Sequence, residues 1–154
     1  MGRSLSTTGQ ARERTRRALR EHGGNEIKTL GDGFMASFAS AQRALECAIA
    51  LQVSVTVSPI LASHRLQVRV GINAGEPIAE EGDLFGHSVI TASRIAGAAA
   101  GGGVLVSNVV RELTAGKGFV FSEVGWRELR GLSERVLLWA LVWEPFAAAT
   151  RPEA

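Results

Sequence analysis

The segment EIKTLGDGFMASF, residues 26–38, constrains the fold more tightly than any other stretch of the chain. Glu26, Ile27, Lys28, Thr29 and Leu30 alternate polar and apolar, the period of a strand with one face buried. Residues 34–38 form a second strand, less cleanly patterned. Between them lies Gly31-Asp32-Gly33, and an Asp-Gly pair between apolar runs is a strong short-range hairpin signal because both residues tolerate positive φ. The hairpin holds the Asp32 carboxylate at its tip, where glycines leave room for a ligand or an ion. It also sets Lys28 four residues upstream, on the strand leading to the tip. Asp-Gly is ordinary turn chemistry as well, so the hairpin by itself assigns no function.

The rest of the chain reads around that hairpin. Residues 1–10 are polar and aperiodic, a flexible arm. Residues 10–22 have a helical pattern with Arg12, Arg14, Arg16, Arg17 and Arg20 beside a thin apolar stripe, and Gly23-Gly24 ends it. The arginine run reads either as a solvated face or as a nucleic-acid surface. Ser40 caps a helix running to about Val53, with Ala41, Ala44, Leu45, Ala48, Ile49 and Gln52 on one face. Residues 54–65 are a connection through which Pro59 bars a continuous helix.

Residues 66–73 alternate and form a strand with Leu66, Val68, Val70 and Ile72 toward the core. Residues 75–83 are a Gly- and acid-rich loop or short ribbon, and residues 85–100 a helix stopped by Gly101-Gly102-Gly103. Residues 104–106 form a short buried strand, and Ser107 caps a short helix to about Leu113. Residues 119–121 begin a further strand, and 126–132 with 136–143 form a hairpin across 131–133. Residues 144–154 are a polar, alanine-rich tail. Strands and helices in this order indicate an α+β fold, a sheet with helices on one face.

At 154 residues the chain is one domain, and a formal charge of +2 does not demand a polyanionic partner. A single cysteine, Cys47, excludes an internal disulfide framework and reads as a core residue. No apolar run is long enough to span a membrane, and the N-terminus lacks the apolar core of a signal peptide, so a cytoplasmic location is expected. His22, His64 and His87 have no metal-ligand spacing among them. The three tryptophans read as sheet-packing residues rather than a base-stacking platform. Lys28, Asp32, Asp83, Arg94 and Arg130 fall at strand ends or near glycine loops. A cation near a phosphate with a carboxylate near a metal is the arrangement phosphoryl chemistry needs. By pattern alone these residues imply anion binding and nothing sharper.

Five motifs sharpen the reading. Residues 28–34, KTLGDGF, resemble the KxxGDGF hairpin of the nucleotidyl (adenylyl and guanylyl) cyclase catalytic domain, bacterial class III type. Residues 83–94 resemble its DxxGxxVNxAxR segment, and 68–75 its VRxGIxxG strand. Residues 103–107 are similar to its GxxLVS strand, and Glu128-Leu129-Arg130-Gly131 to its ELKG. The matches are colinear from about residue 12 to 143, which places the cyclase-like domain at 11–143.

The resemblance implies a ferredoxin-like cyclase fold, a mainly antiparallel sheet with helices packed on it. It implies conversion of ATP or GTP to the 3′,5′-cyclic nucleotide and pyrophosphate in cyclic-nucleotide signalling. The work is done by a head-to-tail homodimer with Mg2+ or Mn2+, without nucleic acid or membrane as partner. In that family two aspartates hold two metal ions, which activate the ribose 3′-hydroxyl and bind the triphosphate. Carried onto this sequence, Asp32 is a metal ligand, Lys28 and Asp83 are the pair that reads the purine, and Arg94 neutralises charge on the α-phosphate. Arg130 stands where the family has a lysine on the terminal phosphates.

Two departures accompany the matches. The family's first strand, bearing its other metal aspartate, has no counterpart in residues 1–25, where no Asp occurs. The fold is therefore expected to lack that strand. Ile90 stands where the family has a ribose-orienting asparagine. Loss of one of two ligating carboxylates costs several kcal/mol of transition-state stabilisation, roughly a thousandfold in rate. The alternative to an active cyclase is accordingly a catalytically degenerate dimerisation or nucleotide-binding regulatory module. A third reading puts the arginine helix on nucleic acid, marked by steep salt dependence.

Overall fold

Three separate sheets, rather than one, carry the described strands of the computed structural model. It describes residues 7–30, 33–75, 78–80 and 83–144. In order, the elements are α1 (Thr7–Glu21), β1 (Asn25–Leu30), β2 (Gly33–Ser37), α2 (Ala41–Val57) and α3 (Pro59–Ser63). There follow β3 (Val70–Ile72), β4 (Ile78–Glu80), β5 (Asp83–Phe85) and α4 (His87–Ala98). The chain continues through β6 (Val104–Ser107), α5 (Asn108–Leu113), β7 (Phe121–Arg127) and β8 (Val136–Leu141). The four-stranded sheet has order β3-β6-β8-β7, with β3 and β6 parallel and the other pairs antiparallel. β1 with β2 and β4 with β5 are isolated antiparallel pairs.

The expected hairpin at residues 26–38 forms, with Leu30 opposite Gly33, so that only Gly31 and Asp32 connect the strands. Those two residues lie outside the described part. Ser40 is the N-cap of α2, its hydroxyl accepting from the Arg43 N–H at 3.2 Å. α2 continues past the expected end at Val53 to Val57, because Leu51, Gln52 and Val55 extend its buried stripe. Ser58 then ends α2 and starts α3: its hydroxyl accepts from Leu61 N–H, and Pro59 occupies the first helical position, where a missing N–H costs nothing. The connection thus contains a helix of its own.

The strand expected at 66–73 pairs over Val70–Ile72 alone, opposite Val104–Val106. The helix expected from residue 85 starts at His87. Phe85 belongs to β5, and Gly86, at φ +109, makes the switch. The strand expected at 126–132 is instead the end of β7. After Arg127 the chain leaves the ladder, and the Leu132 N–H folds back onto the Leu129 carbonyl at 3.1 Å. Ser107 stands at the N-cap of α5, although its hydroxyl makes no capping bond.

The helices do not share one face of the sheet, as the pattern of elements suggested. Residues opposite one another in a ladder point to the same side. Val70, Ile72, Val104, Val106, Phe121, Trp139 and Leu141 face α2 and α5, packing on Leu45, Ala48 and Val110. Leu105, Val124, Val136 and Leu138 face the other way, toward Ile95 of α4. Gly71 opens that second face. A β-carbon there would meet the backbone of Ala92 and Ala96, so α4 lies directly on β3 at a distance only glycine permits.

A second cluster, Ala18, Leu19, Cys47, Leu51, Val55 and Leu61, underlies the junction of the hairpin with the four-stranded sheet. Ala36 and Phe38 enter it from the hairpin side, Val68 and Val70 from the sheet side. Yet no ladder joins β2 to β3 among the described residues. Gln52, 1% exposed, ties the two chains together where they enter the parallel pair: its Nε2 donates to the carbonyls of Val68 at 2.9 Å and Gly103 at 3.2 Å.

Candidate functional site

Of the five residues singled out, Arg94 is the most firmly placed. Thr91 and Ile95 turn inward from α4, which leaves Arg94 on the outer face with Ile90 one turn before it. Ile95 is fully buried against Leu129 and Leu138. Leu129 is thereby pinned beside the helix, and with it the turn of residues 129–132. The Arg94 guanidinium lies over the corner of that turn: a β-carbon on Gly131 would stand 3.6 Å from Nη2 and 3.7 Å from Nε. Arg130 is exposed at the preceding position. The structure therefore brings Arg94 to the turn that carries Arg130, across 36 residues of chain (130 minus 94). Among the described residues neither arginine is ion-paired. An open depression of about 620 Å3 lies along the turn, lined by Glu128, Arg130, Ser133, Glu134 and Arg135.

Lys28 and Asp83 belong to a second group. Lys28 sits half-buried on β1, opposite Met35 of β2. Asp83 opens β5, paired through the backbone with Glu80, and its side chain lies outside the described part. β5 runs beside β1, so the strands bearing this pair are neighbours. Asp32 also lies outside the described residues. β5 leads through Gly86 directly into α4, and Arg94 comes eight residues later, about 12 Å along the helix at 1.5 Å per residue. Asn73 and Gly75 fasten the start of that helix: Asn73 Nδ2 donates to the Ser88 carbonyl at 3.1 Å, and Gly75 lies against the Ser88 side chain. Ile90, 49% exposed, occupies the stretch between the two groups with a side chain that offers no hydrogen bond.

Other candidates resolve into structure. The arginine run is not a free solvated face. Arg14 Nη1 donates to the Ser54 carbonyl and hydroxyl at 3.1 and 2.7 Å. Arg16 pairs with Glu26 at 3.0 Å and covers the Phe34 ring at 5.2 Å, and Arg20 reaches Glu13 at 3.7 Å. These contacts tie α1 to the hairpin and to α2. His22 and His64 bond the carbonyls four residues before them through Nδ1. Cys47 is buried, and burial pushes its thiol up to about 11. Trp139 and Trp143 pack in the core with their indole N–H groups bonded to Asn108 and to the Gly102 carbonyl. Trp126 departs from that reading at 60% exposed. Among the described residues no three His, Cys, Asp or Glu side chains converge as a metal site.

Sequence reasoning assigned no part to Gly131. The signal for it was its place at the end of the Glu128-Leu129-Arg130-Gly131 motif, although the contact with Arg94 cannot be read from that spacing.

Residues 9–142 match the family model described as the adenylate and guanylate cyclase catalytic domain. A putative adenylate cyclase 3 of Rhizobium meliloti is 34% identical over 134 residues, covering 85% of this chain and 22% of the relative. A pH-sensitive adenylate cyclase of Mycobacterium tuberculosis is 34% identical over 116 residues, covering 73% of this chain and 28% of the relative. The chain thus spans about a quarter of the length of these curated relatives. Among solved structures, an adenylate/guanylate cyclase/hydrolase from Silicibacter pomeroyi superposes with TM-score 0.78 at 31% identity, covering 85% of this chain and 78% of that one. An adenylate cyclase from Trypanosoma brucei, at TM-score 0.77 and 21% identity, shares the fold over 96% of this chain and 81% of its own.

Proposed function

The chain belongs to the adenylate and guanylate cyclase catalytic domain family, and we propose that it acts as a nucleotide cyclase domain, forming the 3′,5′-cyclic nucleotide and pyrophosphate from ATP. The observation that carries this reading is the seating of Arg94 on the turn that bears Arg130. Two exposed guanidinium groups with no acidic partner among the described residues, on elements locked by one buried cluster, suit a polyphosphate better than any neutral ligand. Lys28 and Asp83 on neighbouring strands supply a donor and an acceptor for a purine edge, and a lysine paired with an aspartate suits adenine. One solved neighbour is a cyclase core complexed with ATPαS and another is a guanylate cyclase domain complexed with GTP. Those ligands support a purine nucleoside triphosphate here too.

In this reading Arg94 neutralises the charge that develops on the α-phosphate, and Arg130 holds the terminal phosphates. Asp32, at the two-residue tip between β1 and β2, would hold Mg2+ or Mn2+. A single carboxylate suits an ion shared with the triphosphate, since Mg2+ is commonly held by one or two carboxylates together with substrate phosphates. When bound, the metal supplies charge neutralisation of the phosphates and polarisation of the attacking hydroxyl. The cations stand on α4 and on the turn between β7 and β8, and the carboxylate falls in the hairpin connection, so a head-to-tail homodimer would complete each site from two copies. Placement in the cytoplasm and a part in cyclic-nucleotide signalling follow from the same reading. No described helix is long and apolar enough to cross a membrane.

One observation favours a second reading, in which the domain binds nucleotide without turnover. Ile90 is exposed on the stripe of α4 that carries Arg94, where it cannot orient a sugar hydroxyl. Incubation with ATP and Mg2+ or Mn2+ separates the two. The cyclase reading expects cyclic AMP from the wild-type chain and none from Asp32→Ala. Calorimetric binding of ATP without any cyclic product would establish the second reading, and absence of both would overturn both.

A further inference from the structure

We propose that Gly131 is a positioning residue for Arg94: the bare corner of the turn at residues 129–132 is the seat that holds the guanidinium beside Arg130. What the guanidinium does there rests on the cyclase reading, whereas how it is held rests on the geometry alone.

An exposed arginine has little reason to keep one conformation. Its side chain carries roughly 2 kcal/mol of rotamer entropy, and no ion pair restrains Arg94 among the described residues. The turn lies beside its guanidinium instead. A β-carbon on Gly131 would stand 3.6, 3.7 and 3.9 Å from Nη2, Nε and Cζ of Arg94, three nearly equal distances, so the guanidinium lies broadside to the glycine.

Two independent conditions meet at this position. The 3.1 Å bond from Leu132 N–H to the Leu129 carbonyl, with φ +82 at the third residue, is the type II turn, which requires a residue at ease with positive φ. The Arg94 guanidinium faces the same residue, at a distance where a β-carbon would make ordinary van der Waals contact and a longer side chain would crowd it. Both sides of the contact are anchored. Ile95, directly after Arg94, is fully buried, and Leu129, directly before Arg130, is 7% exposed in the same cluster with Leu138. Helix and turn are therefore anchored in one cluster, which fixes the positions in the backbone from which the two arginines extend.

The two conditions can be separated by substitution. Asparagine tolerates the left-handed region, so Gly131→Asn keeps the turn at modest cost. Its side chain beyond the β-carbon enters the volume of the guanidinium and displaces it.

The test combines nucleotide-free NMR of the Arg94 Nε–H group with ATP–Mg2+ titration calorimetry. It uses the wild-type chain, Arg94→Ala, Gly131→Asn and the double variant, with melting temperatures measured alongside. In the wild type, the Nε–H resonance should be resolved from the bulk arginine position, and in Gly131→Asn it should collapse to that position. ATP affinity should fall roughly ten- to hundredfold in Gly131→Asn, the size of a lost charge-assisted contact, and by about the same factor in Arg94→Ala. The double variant should bind no worse than Arg94→Ala, because the asparagine has nothing left to displace. A bulk-like Nε–H in the wild type, an unchanged one in Gly131→Asn, or an equal further loss in the Arg94→Ala background would each overturn the proposal. A resolved resonance that collapses in Gly131→Asn, in a protein that binds no ATP, upholds the seat and refutes the nucleotide reading.

Discussion

The four-stranded sheet and the β1–β2 hairpin are built on opposite terms. The sheet is covered on both faces, by α2 and α5 on one and α4 on the other, and Leu138, Val106, Val110 and Ile95 in these layers are fully buried. The hairpin has two strands, one packed edge and half-buried side chains throughout β2. It is held to the rest by Phe38 and Ala36 against the α1–α2 cluster and by Arg16, which reaches Glu26 and Phe34. Isolated two-stranded ribbons are marginal in water, so the hairpin borrows its order from these few contacts. The proposed cations Arg94 and Arg130 stand on the rigid body, and the carboxylate Asp32 stands on the light one. On the proposed reading, the anion-binding half of the site stands on the well-packed part, and the metal-binding half depends on what lies against the hairpin.

The contrast is testable from its strongest consequence downward. Asp32→Ala should reduce the rate of cyclic AMP formation roughly a thousandfold or more, with the melting temperature unchanged, because the substitution leaves every side chain of the three buried clusters in place. A comparable fall in melting temperature would show that the hairpin belongs to the cooperative core, and the contrast would break. Leu45→Ala, in the cluster on the sheet face away from Arg94, should do the reverse. Truncating a fully buried side chain should cost about 2–5 kcal/mol in denaturant unfolding, with the specific activity of the remaining folded protein retained.

Arg16→Ala sharpens the comparison on a smaller scale. Its ion pair with Glu26 is well exposed and its contact with Phe34 is a single cation–π pair, so the global loss should be at most about 1 kcal/mol. Hydrogen exchange should nevertheless quicken in β1 and β2 while the β6 and β8 amides keep their protection. Uniform quickening in all four strands would mean that the two regions open together.

The smallest effect is a pH effect at Cys47, which lies in the cluster beneath the junction. Burial raises its thiol from 9.0 to about 11, so the folded state holds the proton more tightly than the unfolded one. The resulting stabilisation is complete below pH 9 and is lost as pH rises through about 11. The denaturant midpoint of the wild type should therefore drop between pH 9 and 11, by a margin that Cys47→Ala lacks. Equal alkaline losses in the two proteins would place the cause elsewhere.

Much of this was legible in the residues. Alternation and an Asp-Gly turn specified the hairpin, Ser40 specified the start of α2, and five short motifs in order pointed to the family. Other features were read incorrectly for physical reasons. Alternation over residues 66–73 describes which side chains face the core, but a strand also needs a partner, and β6 pairs with only three of those residues. Pro59 barred one continuous helix, as expected, yet Ser58 used the same proline to open a second one. Leu129 looked like strand because it is apolar and buried, whereas its burial comes from a turn folded against α4.

By itself, the sequence determined the local conformations, the identity of the family and the residue types available for chemistry. These depend on side-chain period, on φ preference and on motif spacing along one chain. Only the tertiary structure decided that α4 lies on the face opposite α2, that Gly71 admits it there, and that Gly131 meets Arg94. Such contacts join residues far apart in the chain, and which of them form is set by how all the apolar faces are buried at once, a condition no single segment encodes.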